Sequence, residues 1–195
     1  MSMAQHYRYC SLPPGPDSIR LLRIMPDEDE TAPIRCQLFD YSLQDLGEGT
    51  HLYEALSYVW GDSSRDMLIF VNECYLHVTT NLHAALSHLR NRSFERIIWV
   101  DAVCINQADT EEMGRQVQIM AKIYSEANRV IIWLGETADD SDRAIEEIRI
   151  ASGNKSTHSS NDETAQQAIL ALLQRPWFRR IWVREQTFHN IRRNY

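Results

Sequence analysis

Glycine and proline are scarce in this chain, which has 7 glycines and 6 prolines among its 195 residues. Their combined share is a little over half of the roughly 12% that is usual in proteins, which excludes a collagen-like, linker-dominated or low-complexity chain. The length indicates one domain with a short extension rather than two full domains. With 44% hydrophobic and 24% charged residues, the chain has enough apolar side chains to form a globular core.

Long apolar runs and an excess of positive charge are also missing. The first ten residues, MSMAQHYRYC, contain no signal-peptide pattern, and no run approaches the roughly 20 apolar residues that cross a bilayer. We therefore expect a cytoplasmic protein without a membrane span. The 20 basic and 27 acidic residues give a net charge of -7. A field of that sign repels phosphate backbones, so we expect no nucleic-acid partner.

The cysteines and histidines lack the spacings of metal sites. The four cysteines, Cys10, Cys36, Cys74 and Cys104, form no CxxC pair, and the seven histidines contain no HExxH motif. This spacing argues against a disulfide framework or a zinc site, and we assign no metal ligand. The simplest interpretation makes the cysteines small buried hydrophobic residues.

The first half of the chain carries the pattern of a sheet. Runs rich in β-formers at 18–24 and 34–39 flank an acidic loop and predict two strands. YEALSYVWGD, at 53–62, predicts a buried strand that ends at its glycine. MLIFV and CYLHV predict a hairpin that turns at Asn72–Glu73.

The second half alternates helices with strands. NLHAALSHLR predicts a helix with Thr80 or Asn81 as N-cap. IIWVD at 97–101 and VIIWLG at 130–135 are typical of strands buried on both faces. Between them a capping box at Asp109–Glu112 begins a strongly amphipathic helix, and two further helices follow the second strand. Such alternation needs crossover connections, so we predict an α/β fold with a central parallel sheet flanked by helices and an added β-hairpin.

The carboxyl ends of the predicted parallel strands carry polar residues. Ligands of such sheets bind just outside these ends, where this chain has SYVWGD, VDAVCINQ and WLGE. We therefore expect a ligand site formed by Ser57, Tyr58, Trp60, Gly61, Asp62, Asp101, Asn106 and Gln107. The carboxylates suit a ribose hydroxyl or an amide, and the aromatic rings suit stacking on a base.

Each of these residues also has a structural interpretation. Asp101 can cap the segment that follows it, and Asp62 can form an Asx-turn. The aromatic rings can belong to the core, and the two amides can brace the loop before the next helix. The sequence leaves both interpretations open.

Three segments, YEALSYVWGD, IIWVDAVCINQADTEEMGRQVQIMAKIYSEANRVIIWLGE and RPWFRRIWVREQ, follow one another at a characteristic spacing. They resemble the fungal heterokaryon incompatibility (HET) domain, whose members carry a YxALSYxWG block, a WIDxxCINQ block leading through QVxxMxxIYxxA to VIxWLG, and a RxWFxRxWxxQE block. Two departures are the turn Asn72–Glu73, often Asn-Gly in the family, and the reversed pair Glu185–Gln186. The match runs over about 19–186, so we assign an N-terminal tail at 1–17 and a HET domain at 18–195.

The resemblance implies a role in fungal allorecognition, in which HET-domain proteins trigger regulated cell death when genetically different hyphae fuse. An incompatibility partner protein is implied as well. The family is distantly similar to the Toll/interleukin-receptor (TIR) domain, a flavodoxin-like α/β fold, and many TIR domains cleave NAD with a glutamate that follows a tryptophan in a late helix. By this analogy WFRRIWVRE supplies Glu185 as the catalytic residue. NAD or a related nucleotide is then the substrate, and no cofactor is required.

Glu185 is chemically suited to that reaction. Cleaving the bond between nicotinamide and ribose develops oxocarbenium charge on the sugar, and a nearby carboxylate stabilises it. The alternative for Glu185 is a solvated residue paired with Arg180 or Arg184. The corresponding alternative for the protein is a non-catalytic module that signals death by forming a homo-oligomer, which the reversed Glu185–Gln186 pair favours.

Overall fold

A computed structural model describes residues 5–44, 52–62, 64–152 and 163–179. In these ranges the strands are β1 Ser18–Ile24, β2 Arg35–Ser42, β3 Glu54–Tyr58, β4 Met67–Val71, β5 Cys74–Val78, β6 Arg96–Trp99 and β7 Arg129–Trp133. The helices are α1 Thr80–Leu89, α2 Asp101–Cys104, α3 Thr110–Glu126, α4 Ser141–Ser152 and α5 Glu163–Leu173, and a 3₁₀ turn covers Pro176–Arg179. None of the helices in the described ranges has the length and apolar character needed to cross a membrane.

The seven described strands form one mixed sheet in the order β5-β4-β2-β1-β6-β3-β7. β3 lies between β6 and β7 and runs parallel to both, with Ala55 opposite Trp99 and Ser57 opposite Ile132. This confirms the predicted α/β class and the parallel alignment of these three strands. The sheet is mixed because β1 pairs antiparallel with both β2 and β6. The β1–β2 connection is too short for the crossover that a parallel pair requires.

Helix α3 packs against the middle of the sheet, as its apolar periodicity predicts. Tyr124 of α3 donates a hydrogen bond to the carbonyl of Leu56 in β3 (3.1 Å), and its ring centroid lies 5.5 Å from that of Trp99. Tyr53, just before β3, donates to the carbonyl of Ile123 (2.6 Å). All five residues of β3 are buried, so β3 and α3 form the centre of the core.

The β4–β5 hairpin turns at Asn72–Glu73, as the sequence predicts. Both residues have positive φ, 48° and 62°, which is the geometry of a type I′ turn. The Asn72 amide bonds the backbone N–H and the carbonyl of Leu38 in β2, at 3.0 and 3.1 Å, and so anchors the turn to the sheet. The Glu73 side chain forms an exposed ion pair with Arg35 (3.3 Å). A glutamate is therefore held in the left-handed region that glycine adopts without strain.

Helix α1 has Thr79 as its N-cap, not Thr80 or Asn81 as predicted. The Thr79 hydroxyl accepts a hydrogen bond from the N–H of Leu82 (3.3 Å). Thr79 has the extended backbone that an N-cap requires, with φ −69° and ψ 154°. The side chain of Asn81, inside the helix, is therefore available for contacts with the sheet.

Strand β7 lies at an edge of the sheet and none of its five residues is fully buried, which corrects the prediction that VIIWLG is buried on both faces. Within the described ranges β7 pairs with β3 alone, and Ile132 keeps 40% of its surface exposed. Trp133 is consequently half-buried. A continuous apolar run does not reveal whether a strand has a neighbour on each side.

We predict that Glu73→Gly is more stable than Glu73→Ala by about 1 kcal/mol. Both variants lose the ion pair with Arg35, but only glycine relieves the left-handed strain of the turn. Urea unfolding of the two variants measures the difference. Equal stabilities would show that the turn is not strained.

We predict that Trp99→Ala destabilises the protein by about 3–5 kcal/mol, because its fully buried ring leaves a cavity in the core. Trp133→Ala is expected to lower the free energy of unfolding by roughly half as much, since its ring is half-buried beside the edge of the sheet. Thermal melting of both variants checks this order. A larger loss from Trp133→Ala would contradict the assignment of β7 to the edge.

Candidate functional site

The segments that follow β3, β6 and β7 meet at one edge of the sheet, because the three strands run parallel. We call the segments 59–62, 100–109 and 134–138 the carboxyl edge. This is where the sequence predicts a ligand site. Three hydrogen bonds, each donated by the N–H of a tryptophan indole, hold these segments and the neighbouring strand ends together.

Trp60 and Asp101 join the first two segments. The indole Nε1 of Trp60 donates to Oδ2 of Asp101 (3.1 Å), and Oδ1 of Asp101 accepts from the N–H of Ala102 (2.8 Å). β6 ends at Trp99, and Asp101 is the first residue of α2. The structure thus brings together two of the predicted binding residues and places the carboxylate at the start of a helix.

Asn81 joins the first segment to Trp133, the last residue of β7. Its Nδ2 donates to the carbonyl of Val59 (2.5 Å), and its Oδ1 accepts from Nε1 of Trp133 (2.9 Å). It also lies against Gly61, which has φ +74° and where an added Cβ would be 3.5 Å from the Asn81 Cβ. Sequence reasoning missed this role because an asparagine in the first turn of a helix is the ordinary pattern of a cap. No local signal reports a contact with distant strands.

Trp177, in the 3₁₀ turn, brings the RPWF motif to the same edge. Its Nε1 donates to Oγ of Ser57 (3.1 Å), and both residues are 6% exposed. Arg175 donates from Nη1 to the carbonyl of Leu134 (3.1 Å) and from Nη2 to that of Ala138 (3.0 Å). All three sequence blocks therefore meet where β3 and β7 end, and an indole covers the Ser57 hydroxyl.

Two further predicted binding residues, one at the end of β3 and one in the first segment, differ in exposure. Tyr58 is buried, with 2% of its surface exposed, which agrees with its interpretation as a core residue. Asp62 is exposed, and its Oδ1 accepts a hydrogen bond from the N–H of Ser64 (3.3 Å), as in an Asx-turn. Asp62 therefore lies at the solvent side of the carboxyl edge.

The two predicted amides brace the segment 100–109. Gln107 donates from Nε2 to the carbonyl of Asp101 (2.9 Å), and Oδ1 of Asn106 accepts from the N–H of Ala108 (3.2 Å). Both amides therefore adopt their structural interpretation at these atoms. Glu185, the predicted catalytic residue, lies outside the described residues.

A buried ion pair between Arg20 of β1 and Glu112 of α3 supports the segment 100–109. The guanidinium and the carboxylate form two hydrogen bonds, of 2.6 and 3.0 Å, and each side chain is 3% exposed. Arg20 also donates to the carbonyls of Cys104 (3.2 Å) and Cys10 (2.6 Å), and Glu112 accepts the N–H of Asn106 (2.7 Å). Burial opposes the charge of Arg20, but the hydrogen bond and the charge of Glu112 outweigh it and raise the Arg20 pKa.

The predicted capping box is only half formed, because the Glu112 side chain does not take part in it. Asp109 does cap α3, because its Oδ1 accepts from the N–H groups of Glu111 and Glu112, both at 3.0 Å. Glu112 turns away from this cap and binds Arg20 instead. The distant contact prevails because a buried guanidinium requires a carboxylate partner, whereas the cap is already satisfied by Asp109. Nothing in the run SIRLLRI distinguishes Arg20 from an ordinary exposed strand residue.

Cys104 and Cys36 are buried, as the sequence predicts, whereas Cys10 is exposed and Cys74 is half-buried, which corrects the prediction for these two. Burial raises the pKa of the Cys104 thiol to about 12, and the same holds for Cys36. A thiol that stays protonated at neutral pH is a poor nucleophile, so Cys104 does not suit covalent catalysis. Within the part of the chain that the structure describes, no three His, Cys, Asp or Glu side chains are grouped so as to hold a metal ion.

We predict that Glu112→Gln destabilises the protein by about 3–5 kcal/mol, because it removes the charge of the carboxylate that is hydrogen-bonded to the buried Arg20 guanidinium and leaves only Asp40, at 3.9 Å, as a charged neighbour. Glu111→Gln is the matched control, since the Glu111 carboxylate is 84% exposed and pairs with Arg115 at the surface (2.6 Å). Its loss is expected to be at most about 1 kcal/mol. Urea unfolding of both variants decides, and equal losses would contradict the central role of the buried pair.

Comparison with known proteins places these features in a family. The family model for heterokaryon incompatibility protein (HET) matches residues 53–185. Heterokaryon incompatibility protein 6, OR allele, of Neurospora crassa is 38% identical over 143 residues, which are 67% of this chain and 20% of that protein. The match therefore spans about a fifth of the length of this relative. No solved structure matches the chain.

Proposed function

The chain belongs to the heterokaryon incompatibility (HET) family, and on that premise we propose that it acts in fungal allorecognition. In this proposal it triggers regulated cell death by hydrolysing NAD or a related nucleotide at the carboxyl edge. The observation that carries the proposal is the convergence of the three sequence blocks there, through the Trp60–Asp101 and Trp177–Ser57 hydrogen bonds. An edge of this kind is the usual ligand site of an α/β sheet.

The proposed reaction needs one carboxylate beside the ribose. The bond between C1′ of the ribose and the nicotinamide nitrogen breaks, and nicotinamide leaves as a neutral molecule with the electron pair. Water adds to C1′ and releases a proton, which gives ADP-ribose. We assign the stabilisation of the oxocarbenium charge to Glu185.

The described residues support this assignment by position. Arg179 ends the 3₁₀ turn that is bound to the carboxyl edge through Trp177. Six peptide units separate Arg179 from Glu185, and a chain of that length reaches about 20 Å at most. Asp101, half-buried at the start of α2, is the carboxylate that we assign to a ribose hydroxyl. Trp60 orients it through the indole N–H.

Exposed apolar side chains favour a second candidate, a module that signals by self-association without catalysis. Helices α4 and α5 pack together around Ala144, Ala168 and Leu172, yet apolar residues on their outer surface remain open. Their exposed fractions are 48% for Ile145, 45% for Ile148, 59% for Leu170 and 48% for Leu173. Apolar groups clustered on a surface mark contact sites for proteins. A second copy of the chain and an incompatibility partner are both candidates for this contact.

We predict that Glu185→Ala changes the free energy of unfolding by no more than about 1 kcal/mol. The variant is expected to release no nicotinamide. A carboxylate at the edge of a site contributes at most a modest ion pair to stability, whereas the proposed chemistry depends on it. The measurement incubates pure protein with NAD and follows nicotinamide. Gln186→Ala, in the neighbouring position, is the matched control and should retain activity.

A normally folded and active Glu185→Ala variant would end the enzymatic assignment of this residue. Expression in a fungal host then separates the two candidates. Cell death that survives in Glu185→Ala but is lost in Leu170→Asp would favour self-association. Cell death that is lost together with nicotinamide release supports the enzyme.

A further inference from the structure

Residues 5–10 form an extended segment, the N-terminal arm, along the outermost strand β5. The N–H of Tyr7 donates to the carbonyl of Tyr75 (2.8 Å), and the N–H of Tyr75 donates to the carbonyl of Gln5 (2.9 Å). His6 thereby forms a parallel bridge with Tyr75. The arm covers the strand edge that β5 would otherwise present at this end of the sheet.

The second half of the arm contacts the support of the segment 100–109. The Tyr9 hydroxyl donates to the carbonyl of Val103 in α2 (2.8 Å), and the Arg20 guanidinium lies 5.2 Å from the centroid of the Tyr9 ring. The carbonyl of Cys10 accepts from Nη2 of Arg20 (2.6 Å). Burial raises the pKa of Tyr9, so its hydroxyl remains a donor at neutral pH.

A loosely held linker separates the arm from β1. Residues 11–16, SLPPGP, are mostly exposed. Three of the six are prolines, which lack a backbone N–H. Contacts resume at Asp17, whose carboxylate pairs with Lys122 (2.8 Å). The arm is therefore bound at both of its ends and is joined to β1 through a mostly exposed linker.

We propose that the N-terminal arm is a detachable strap that holds the segment 100–109 in order and so controls the carboxyl edge. The arm supplies two of the groups on which this segment rests, the Tyr9 hydroxyl at Val103 and the Cys10 carbonyl at Arg20. Arg20 in turn holds the carbonyl of Cys104. Detachment opens the buried guanidinium to water and loosens its contacts.

The consequence for ligand binding rests on the proposed function. Asp101, Asn106 and Gln107 all lie on the segment that the arm supports, and Asn106 is tied by its N–H to the Arg20–Glu112 pair. Ligand binding to these residues costs less conformational entropy when the bound arm already orders the segment 100–109. Release of the arm therefore lowers the affinity of the carboxyl edge for a nucleotide without any change in the residues that contact it.

The test is hydrogen exchange on the full chain with Tyr9→Phe, which removes one hydroxyl and keeps the ring. We expect the amides of residues 103–106 to exchange about two- to tenfold faster, the range that one net hydrogen bond allows. Amides of β3 and β7 should keep their rates. Tyr7→Phe is the matched control, because the Tyr7 ring packs 5.0 Å from Tyr9 but its hydroxyl bonds no other described residue. It should change neither region.

Unchanged exchange at 103–106 in Tyr9→Phe would overturn the strap, and so would a uniform acceleration in all elements, which indicates a merely structural loss. The same variants are then titrated with NAD, where Tyr9→Phe should bind about two- to tenfold more weakly than the unchanged protein. If the unchanged protein binds no NAD, the proposed function fails, while the exchange measurement still decides the strap. Equal NAD affinities with altered exchange would refute control of the carboxyl edge.

Discussion

The buried ion pair between Arg20 and Glu112 is the interaction on which the rest of the molecule depends. Two charges with 3% exposure are tolerable in a protein interior only when each satisfies the other and the remaining hydrogen-bonding groups are filled. Here the remaining groups come from the backbone of Cys10, Cys104 and Asn106. One electrostatic requirement thereby fixes β1, α3, the N-terminal arm and the segment 100–109 relative to one another.

A second unifying feature is the use of tryptophan at the carboxyl edge. Three indoles, one buried and two half-buried, donate their N–H groups to side chains from other parts of the chain. The pairs are Trp60 with Asp101, Trp133 with Asn81 and Trp177 with Ser57. An indole combines a large apolar area with a single directional donor. Each pair therefore adds packing and fixes orientation at once, which keeps the edge rigid although it is assembled from loops.

Local patterns predicted the parts of the fold that local physics determines. Alternating runs predicted the strands, and Asn72–Glu73 adopts the expected I′ turn. The parallel relation of the strands around Leu56, Trp99 and Ile132 followed from the crossover rule. In contrast, the run VIIWLG predicted a buried strand, whereas no residue of β7 is fully buried, because an apolar run does not show how much of a strand the rest of the fold covers. The order of strands is set by pairings across the whole chain, which no short window contains.

The candidate site could be located from the sequence but not built from it. The carboxyl ends of parallel strands pointed to Trp60 and Asp101, and these are bonded to each other. The distant contacts of Asn81 and Glu112 were missed because the sequence around each residue predicts a local role, as helix cap or capping-box residue, which neither adopts in the structure. Long-range polar contacts of this kind depend on the folded geometry and produce no periodic pattern in the sequence.

The arrangement of the sheet sets the smallest piece of chain that can fold. The family model begins at residue 53, whereas β1 and β2 lie before that point and occupy the middle of the sheet, between β4 and β6. A fragment trimmed to the matched range would expose one side of β6 and leave Glu112 a buried anion without Arg20. The range matched by the family model therefore shows where the sequences are similar. The part of the chain that folds cooperatively extends beyond that range. A recombinant fragment made for crystallisation or spectroscopy needs to start ahead of β1.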